Sequence, residues 1–275
     1  MPFDQNKFDF NTYEEYYHTT KILPGTWMIS SKTQHTPFGS DNYLLEGDEY
    51  ALVIDSGMTK LNFYEYVKQY TDLPILGVLN THSHFDHTGG NGFFPRVYMH
   101  PNAEKGAKSP FGEADGYILD YPIIPVTEGF TLDLGNRVLE IIEIPAHDVG
   151  SIAILDKTNR ILFSGDELES GWCNVGSFGP KRAGSTIETH YNNMMKLKSR
   201  WDEFDWICPG HHGAPLTKDL LSHVLICDRM ILDGVPGSEV IPVKNGGGRF
   251  DGSQGARVMR YKTAHICYNI NSIRE

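Results

Sequence analysis

The chain has 275 residues, 40% of them apolar, and a formal net charge of −11 from 24 basic and 35 acidic side chains. The apolar share suffices for a sizeable core, and the length is normal for one α/β domain, residues 1–275, with insertions. So acidic a chain is a poor general binder of nucleic acid, whose phosphates need clustered Lys and Arg.

The N-terminus lacks a basic-then-apolar leader, and no apolar stretch approaches the length of a membrane span. A soluble, cytoplasmic protein with a small-molecule substrate and no membrane partner is expected. Residues 1–20 hold Phe3, Phe8, Phe10, Tyr13, Tyr16 and Tyr17. This aromatic arm must bury its rings on its own domain or, as the alternative, in a homodimer contact or a pocket wall. Strand patterns follow at 26–30, 42–46 and 50–54, with a hairpin turn over 46–49. Residues 61–70 read as a helix.

An apolar run over 74–79 leads into His82-Ser83-His84-Phe85-Asp86-His87. Three imidazoles and a carboxylate on one loop after a short strand make a metal site, with ligand types suited to zinc, iron or manganese. As a packing feature, four such side chains would each need a buried partner. The bland alternative is a solvated histidine-rich loop, and it loses weight because the chain supplies further ligands. His147 follows an apolar run at 138–144. Asp166 ends a run at 161–165, and His211 follows one at 206–210. Strand, tight turn and ligand recur each time. His211 and His212 compete for the last position. His211 directly follows Pro-Gly and is preferred, which leaves His212 as a supporting or substrate contact, or simply exposed.

Between these blocks, residues 105–125 carry several Gly and Pro breaks and read as a loop insertion. Residues 167–184 read as a mobile loop beside the site, with Trp172, Phe178 and Arg182 as candidate substrate contacts. Ser185-Thr186-Ile187-Glu188 reads as a capping box opening a helix, and 218–232 as another helix. Cys173, Cys208, Cys227 and Cys267 form no C-x-x-C pair, so neither a disulfide framework nor a cysteine–zinc site is expected. Cys208 reads as a small buried hydrophobe. The C-terminal segment, 243–275, is Gly-rich and locally basic (Arg249, Arg257, Arg260, Lys262). It reads as a solvated hairpin or, alternatively, a lid carrying an anion-binding Arg near His265.

In order, Val53-Ile54-Asp55-Ser56-Gly57, His82 to His87, His147, Ser164-Gly165-Asp166 and Pro209-Gly210-His211 resemble the metallo-β-lactamase superfamily. The resemblance implies a four-layer αββα sandwich, two mixed sheets flanked by helices. It implies two divalent cations, zinc first and iron or manganese as alternatives. His82, His84 and His147 would hold one, and Asp86, His87 and His211 the other. Asp166 would bridge them, and Asp55 would orient a ligand from behind. One departure stands out: the block after His147 commonly has Thr where this chain has Asp148.

The implied activity is a dinuclear-metal hydrolase. A hydroxide shared by cations about 3.5–4 Å apart would attack an ester, lactone or related acyl substrate, with Asp86 and Asp166 as the catalytic carboxylates. No G-x-S-x-G nucleophile elbow competes. The alternatives are a glyoxalase-II-like thioesterase, a β-lactamase, a phosphodiesterase, or a non-hydrolytic iron enzyme of the persulfide dioxygenase or oxygen reductase kind. Glu169 stands in the region where the lactonases of the family carry a tyrosine.

Overall fold

The computed structural model describes residues 16–31, 39–110, 112, 114–176, 184–239 and 255–275. Phe178, Arg182, the first fifteen residues of the arm and residues 240–254 therefore lie outside the described residues.

The first sheet takes seven strands in sequence order. They are β1 (Tyr17–Leu23), β2 (Thr26–Ser31), β3 (Asp41–Glu46), β4 (Ala51–Ile54), β5 (Ile75–Leu79), β6 (Val97–Met99) and β7 (Ile123–Pro125). Pairing is antiparallel up to β4 and parallel from there on. Three short helices punctuate the parallel half: α1 (Phe63–Val67), α2 (Phe85–Thr88) and α3 (Glu104–Ala107).

The second sheet holds β8 (Thr131–Asp133), β9 (Val138–Glu143), β10 (Ile152–Asp156), β11 (Ile161–Gly165), β13 (Trp206–Pro209) and β14 (Leu216–Thr217). It is ordered β14-β13-β11-β10-β9-β8, with β11 and β13 parallel. Two longer helices, α4 (Ile187–Ser199) and α5 (Asp219–Leu232), lie on its outer side. A third mixed sheet, beyond the two expected, joins β12 (Trp172–Val175) to β17 (Ala264–Asn269), β16 (Ala256–Tyr261) and β15 (Ser238–Glu239).

Alternation along the strands sorts the side chains into layers. Tyr43, Leu45, Leu52 and Ile54 of the first sheet meet Ile141, Ile154, Ile161 and Phe163 of the second. The intervening Leu44 and Val53 point the other way, onto Phe63, Tyr66 and Val67. The outer face of the second sheet, with Ile142, Leu155 and Leu162, packs on Met194 and Leu197 of α4 and on Leu221 and Val224 of α5. Helix, sheet, sheet, helix is the four-layer order expected.

Several local expectations shift. The first helix starts at Phe63, because Asn62 caps it by accepting from Glu65 N at 3.2 Å, and it tightens into a 3₁₀ turn over Lys68–Tyr70. The cap of α4 is Thr186, which accepts from Thr189 N at 3.1 Å. Ser185 instead donates to Ala146 O at 2.6 Å, and Glu188 pairs with Arg274. The stretch after Asp166 is not all loop: Trp172 opens β12, whose parallel partner lies some ninety residues onward, out of reach of any local pattern. Tyr16 and Tyr17 bury their rings on their own domain, beside Phe63 and Tyr66. No helix among the described residues is long and apolar enough to cross a membrane.

Candidate metal centre

The C-terminal ends of β4, β5, β9, β11 and β13 all open onto one place, and each delivers part of a polar cluster. After β5 the chain runs through Thr81, His82 and Ser83 into α2. His84 sits at its N-cap, and Asp86 and His87 lie in its only turn. Asp55 follows β4 with φ +57, a left-handed conformation that Asp tolerates better than most residues.

Four imidazoles are held from behind. His147 Nδ1 donates to Asn174 O at 2.8 Å and His211 Nδ1 to Gly39 O at 2.6 Å. A carbonyl oxygen only accepts, so both rings carry a proton on Nδ1 and turn Nε2 inward. His87 Nδ1 meets Asp55 Oδ2 at 3.0 Å, and His82 Nδ1 meets Thr81 Oγ1 at 3.0 Å. Asp55 in turn accepts from Thr81 N and Thr81 Oγ1, both at 2.8 Å. Its oxygens are thus committed to the scaffold that orients the ligands.

The inward atoms fall into two groups that share Asp166. In the first, His147 Nε2 lies 2.8 Å from His84 Nδ1, and Asp166 Oδ2 lies 3.5 Å from His147 Nε2 and 3.7 Å from His82 Nε2. In the second, His87 Nε2 lies 3.1 Å from His211 Nε2, which is 3.6 Å from Asp86 Oδ2. Asp166 reaches that group as well, at 3.3 Å from His211 Nε2 and 3.5 Å from His87 Nε2. Four ligands about 2.1 Å from a tetrahedral ion stand about 3.4 Å from one another, so these spacings fit a divalent cation. Buried His82 Nε2 and Asp166 Oδ1 have no hydrogen-bond partner among the described residues. The donor set therefore fits the metal that the motif implies.

Electrostatics point the same way. Burial and neighbouring imidazoles hold His82 well below the usual histidine range and bring His84 down to about 3. At His87 burial is outweighed by Asp166, Asp86 and Asp55, which push the ring up to about 9. Asp166 stays ionised despite burial because His211, His87 and His82 surround it. Uncharged His82 and His84 face the ionised Asp166, while the carboxylates around His87 and His211 favour their charged forms, positive charge that a cation would replace.

Some residues that build the site carry no motif. Buried Glu167 accepts through Oε1 from Ala146 N at 2.9 Å and His147 N at 2.6 Å, strapping the His147 loop to the Asp166 turn. Behind Glu167, His190 of α4 donates from Nε2 to Glu167 O at 2.8 Å and pairs through Nδ1 with Asp228 of α5 at 2.8 Å. Adjacency of Glu167 to Asp166 was the one available hint. His190 and Asp228 had none, since they meet only when α4 packs on α5. Asp148, the departure from the family pattern, accepts from Ser83 Oγ at 2.8 Å.

Of the expected substrate contacts, Trp172 stands partly exposed at the start of β12. His212 is half-exposed with φ +68, its ring lying against Gly171, where a Cβ would collide with it. Glu169 is buried 3.8 Å from His212 Nε2, and burial together with the Asp166 charge pushes its carboxyl up to about 8. All four cysteines are buried, Cys208 among them. Burial raises the Cys173 thiol well above its usual range, so it is no ready nucleophile.

A family model, Metallo-beta-lactamase superfamily, matches residues 35–220. The chain is 28% identical over 255 residues to the acyl-coenzyme A thioesterase MBLAC2 of Gallus gallus, covering 78% of this chain and 90% of that protein. It is 28% identical over 202 residues to hydroxyacylglutathione hydrolase 1 of Vibrio vulnificus, covering 67% and 72%. The fold is similar to that of a metallo-beta-lactamase from Pontibacter korlensis, with TM-score 0.60, 20% identity, and coverage of 78% of this chain and 99% of that one. With the strand-end ligands in place and two thirds of the sequence matched, the chain belongs to the metallo-beta-lactamase superfamily.

Proposed function

We propose that this protein is a dinuclear-metal hydrolase acting on a thioester or a related small acyl ester. The observation that carries the reading is the convergence of six donor side chains around Asp166, with four of the imidazoles oriented from behind. His82, His84 and His147 would hold one cation and Asp86, His87 and His211 the other, with Asp166 between them. Zinc suits this nitrogen-rich set best. Divalent ions there supply a Lewis acid and lower the pKa of bound water towards neutrality.

The protein's own part is positional and protonic. Asp86, 3.6 Å from His211 Nε2, would be the carboxylate to take the proton that a bound water gives up. The buried cysteines leave no thiol to carry an acyl group, which favours direct hydrolysis. Both relatives named above act on S-acyl compounds by their names, and this moves weight from the lactone to the thioester.

The test is to load the protein with zinc, measure metal content, and follow thiol or proton release from an acyl-coenzyme A, a hydroxyacylglutathione, an aryl ester, a lactone and a β-lactam. Release that requires two metals per chain, and that is lost together with metal in Asp166→Ala, supports the reading. Two metals bound with no turnover of any acyl substrate would sink it.

A further inference from the structure

The third sheet meets the metal centre through its edge strand β12, whose Asn174 O accepts from His147 Nδ1 at 2.8 Å. Across that sheet Trp172 is in register with His265, and His265 with Arg260. Register partners on neighbouring strands put their side chains on one face. The next residues along, Cys173, Ile266 and Met259, belong to the core under the opposite face. An indole, an imidazole and a guanidinium thus stand side by side in one row. One step further along the strands the same face is closed, because Val258 and Cys267 are buried. Among the described residues the row is the more exposed rim.

It also has a direction. Strands lie about 4.8 Å apart, so the row runs about 10 Å outward from β12. Its inner end adjoins the site: His212, next to the metal-facing His211, lies against Gly171, the residue before Trp172. The His212 side chain is half-exposed there. Its left-handed backbone is a strained conformation of the kind that persists at ligand clamps. Arg260 is exposed and gives the outer end of the row a positive charge, in a chain whose net charge is −11. All of β16 and β17 lies beyond residues 35–220, so His265 and Arg260, two of the three residues of the row, fall outside the matched superfamily region.

We propose that the Trp172–His265–Arg260 row binds an anionic group, phosphate or carboxylate, on the thiol arm of the substrate, at the far side of the row from the metals. Trp172 offers a flat stacking surface and Arg260 the charge. This rests on the thioester reading for its substrate, and the test separates the two.

Zinc-loaded protein is titrated with three unreactive thioethers: S-methyl-coenzyme A, S-methylglutathione and the neutral S-methyl-N-acetylcysteamine. A charged probe should bind at least about tenfold more tightly than the neutral one, a difference of about 1.4 kcal/mol. Preference for the first assigns phosphate, and for the second carboxylate. Arg260→Ala should abolish the preference, Arg260→Lys should keep part of it, and Trp172→Ala should weaken all three probes. Equal affinity for charged and neutral probes, no binding of any, or an unchanged preference in Arg260→Ala overturns the proposal. The charge preference without any thioester turnover would sink the hydrolase reading alone. Turnover without charge preference would sink the row alone.

Discussion

Ser83 Oγ donates to Asp148 Oδ2 at 2.8 Å, and this bond ties the loop carrying His82 and His84 to the loop carrying His147. Asp148 also caps its own turn, accepting from Gly150 N at 2.9 Å. The carboxylate that departs from the family pattern therefore acts as a brace between two ligand loops. Ser83→Ala removes the donor and leaves a buried carboxylate oxygen one partner short, at a cost of about 1–3 kcal/mol. Thermal unfolding should drop by several degrees, and chelator competition should show weaker zinc binding. Unchanged values in both would show that the brace is idle.

Asp55 sits behind the proposed metal centre as a hydrogen-bond hub. Its carboxylate holds His87 Nδ1 and both donors of Thr81. Asp55→Ala should weaken metal binding about 10–100-fold, the range for lost outer partners of metal-ligating histidines. Alanine at φ +57 adds backbone strain, whereas asparagine tolerates that conformation. Asp55→Asn should therefore fold better and lose less affinity than Asp55→Ala. Metal titration of both variants checks the order, and equal losses would contradict it.

Glu167 is read best through an isosteric pair of variants. Burial raises its carboxyl, and its work is to accept from the backbone of Ala146 and His147. A glutamine keeps one acceptor oxygen in that position, so Glu167→Gln should retain the fold and most metal affinity. Glu167→Ala orphans buried N–H groups at about 1–3 kcal/mol each and frees the His147 loop. That variant should be unstable and poorly metallated. Equal behaviour of the two would move the role of Glu167 from hydrogen bonding to charge.

The His190–Asp228 pair gives a pH signature. Burial works against a charged ring, but Asp228 and the Glu167 carbonyl push His190 up to about 9. A histidine raised above its unfolded value of about 6.5 stabilises fully below that pH, and the contribution fades as pH rises through about 9. The stability gap between the wild-type chain and Asp228→Asn should be largest near pH 6 and shrink above pH 9. Urea unfolding across that range measures it. A gap that widens with pH would mean the pair is not an imidazolium and a carboxylate.

The sequence by itself determined the chemistry-bearing atoms. His82, His84, Asp86, His87, His147, Asp166 and His211 announce themselves because each belongs to a short polar motif that follows an apolar strand, a pattern that is local in the chain. The same locality made β2 to β5 and both longer helices legible, since period and turn residues act over a few positions. Only the tertiary structure decided how those atoms are held. Glu167 reaches back some twenty residues to the His147 loop, and His190 spans 38 residues to Asp228. Trp172 finds His265 across a parallel pairing that no local pattern encodes. Long-range pairing is fixed by the packing of whole layers, and a residue such as Glu167 looks like any surface glutamate until that packing buries it. The ligands of a metal site are thus written in short motifs, while the braces behind them and the rim beside them come into being with the fold.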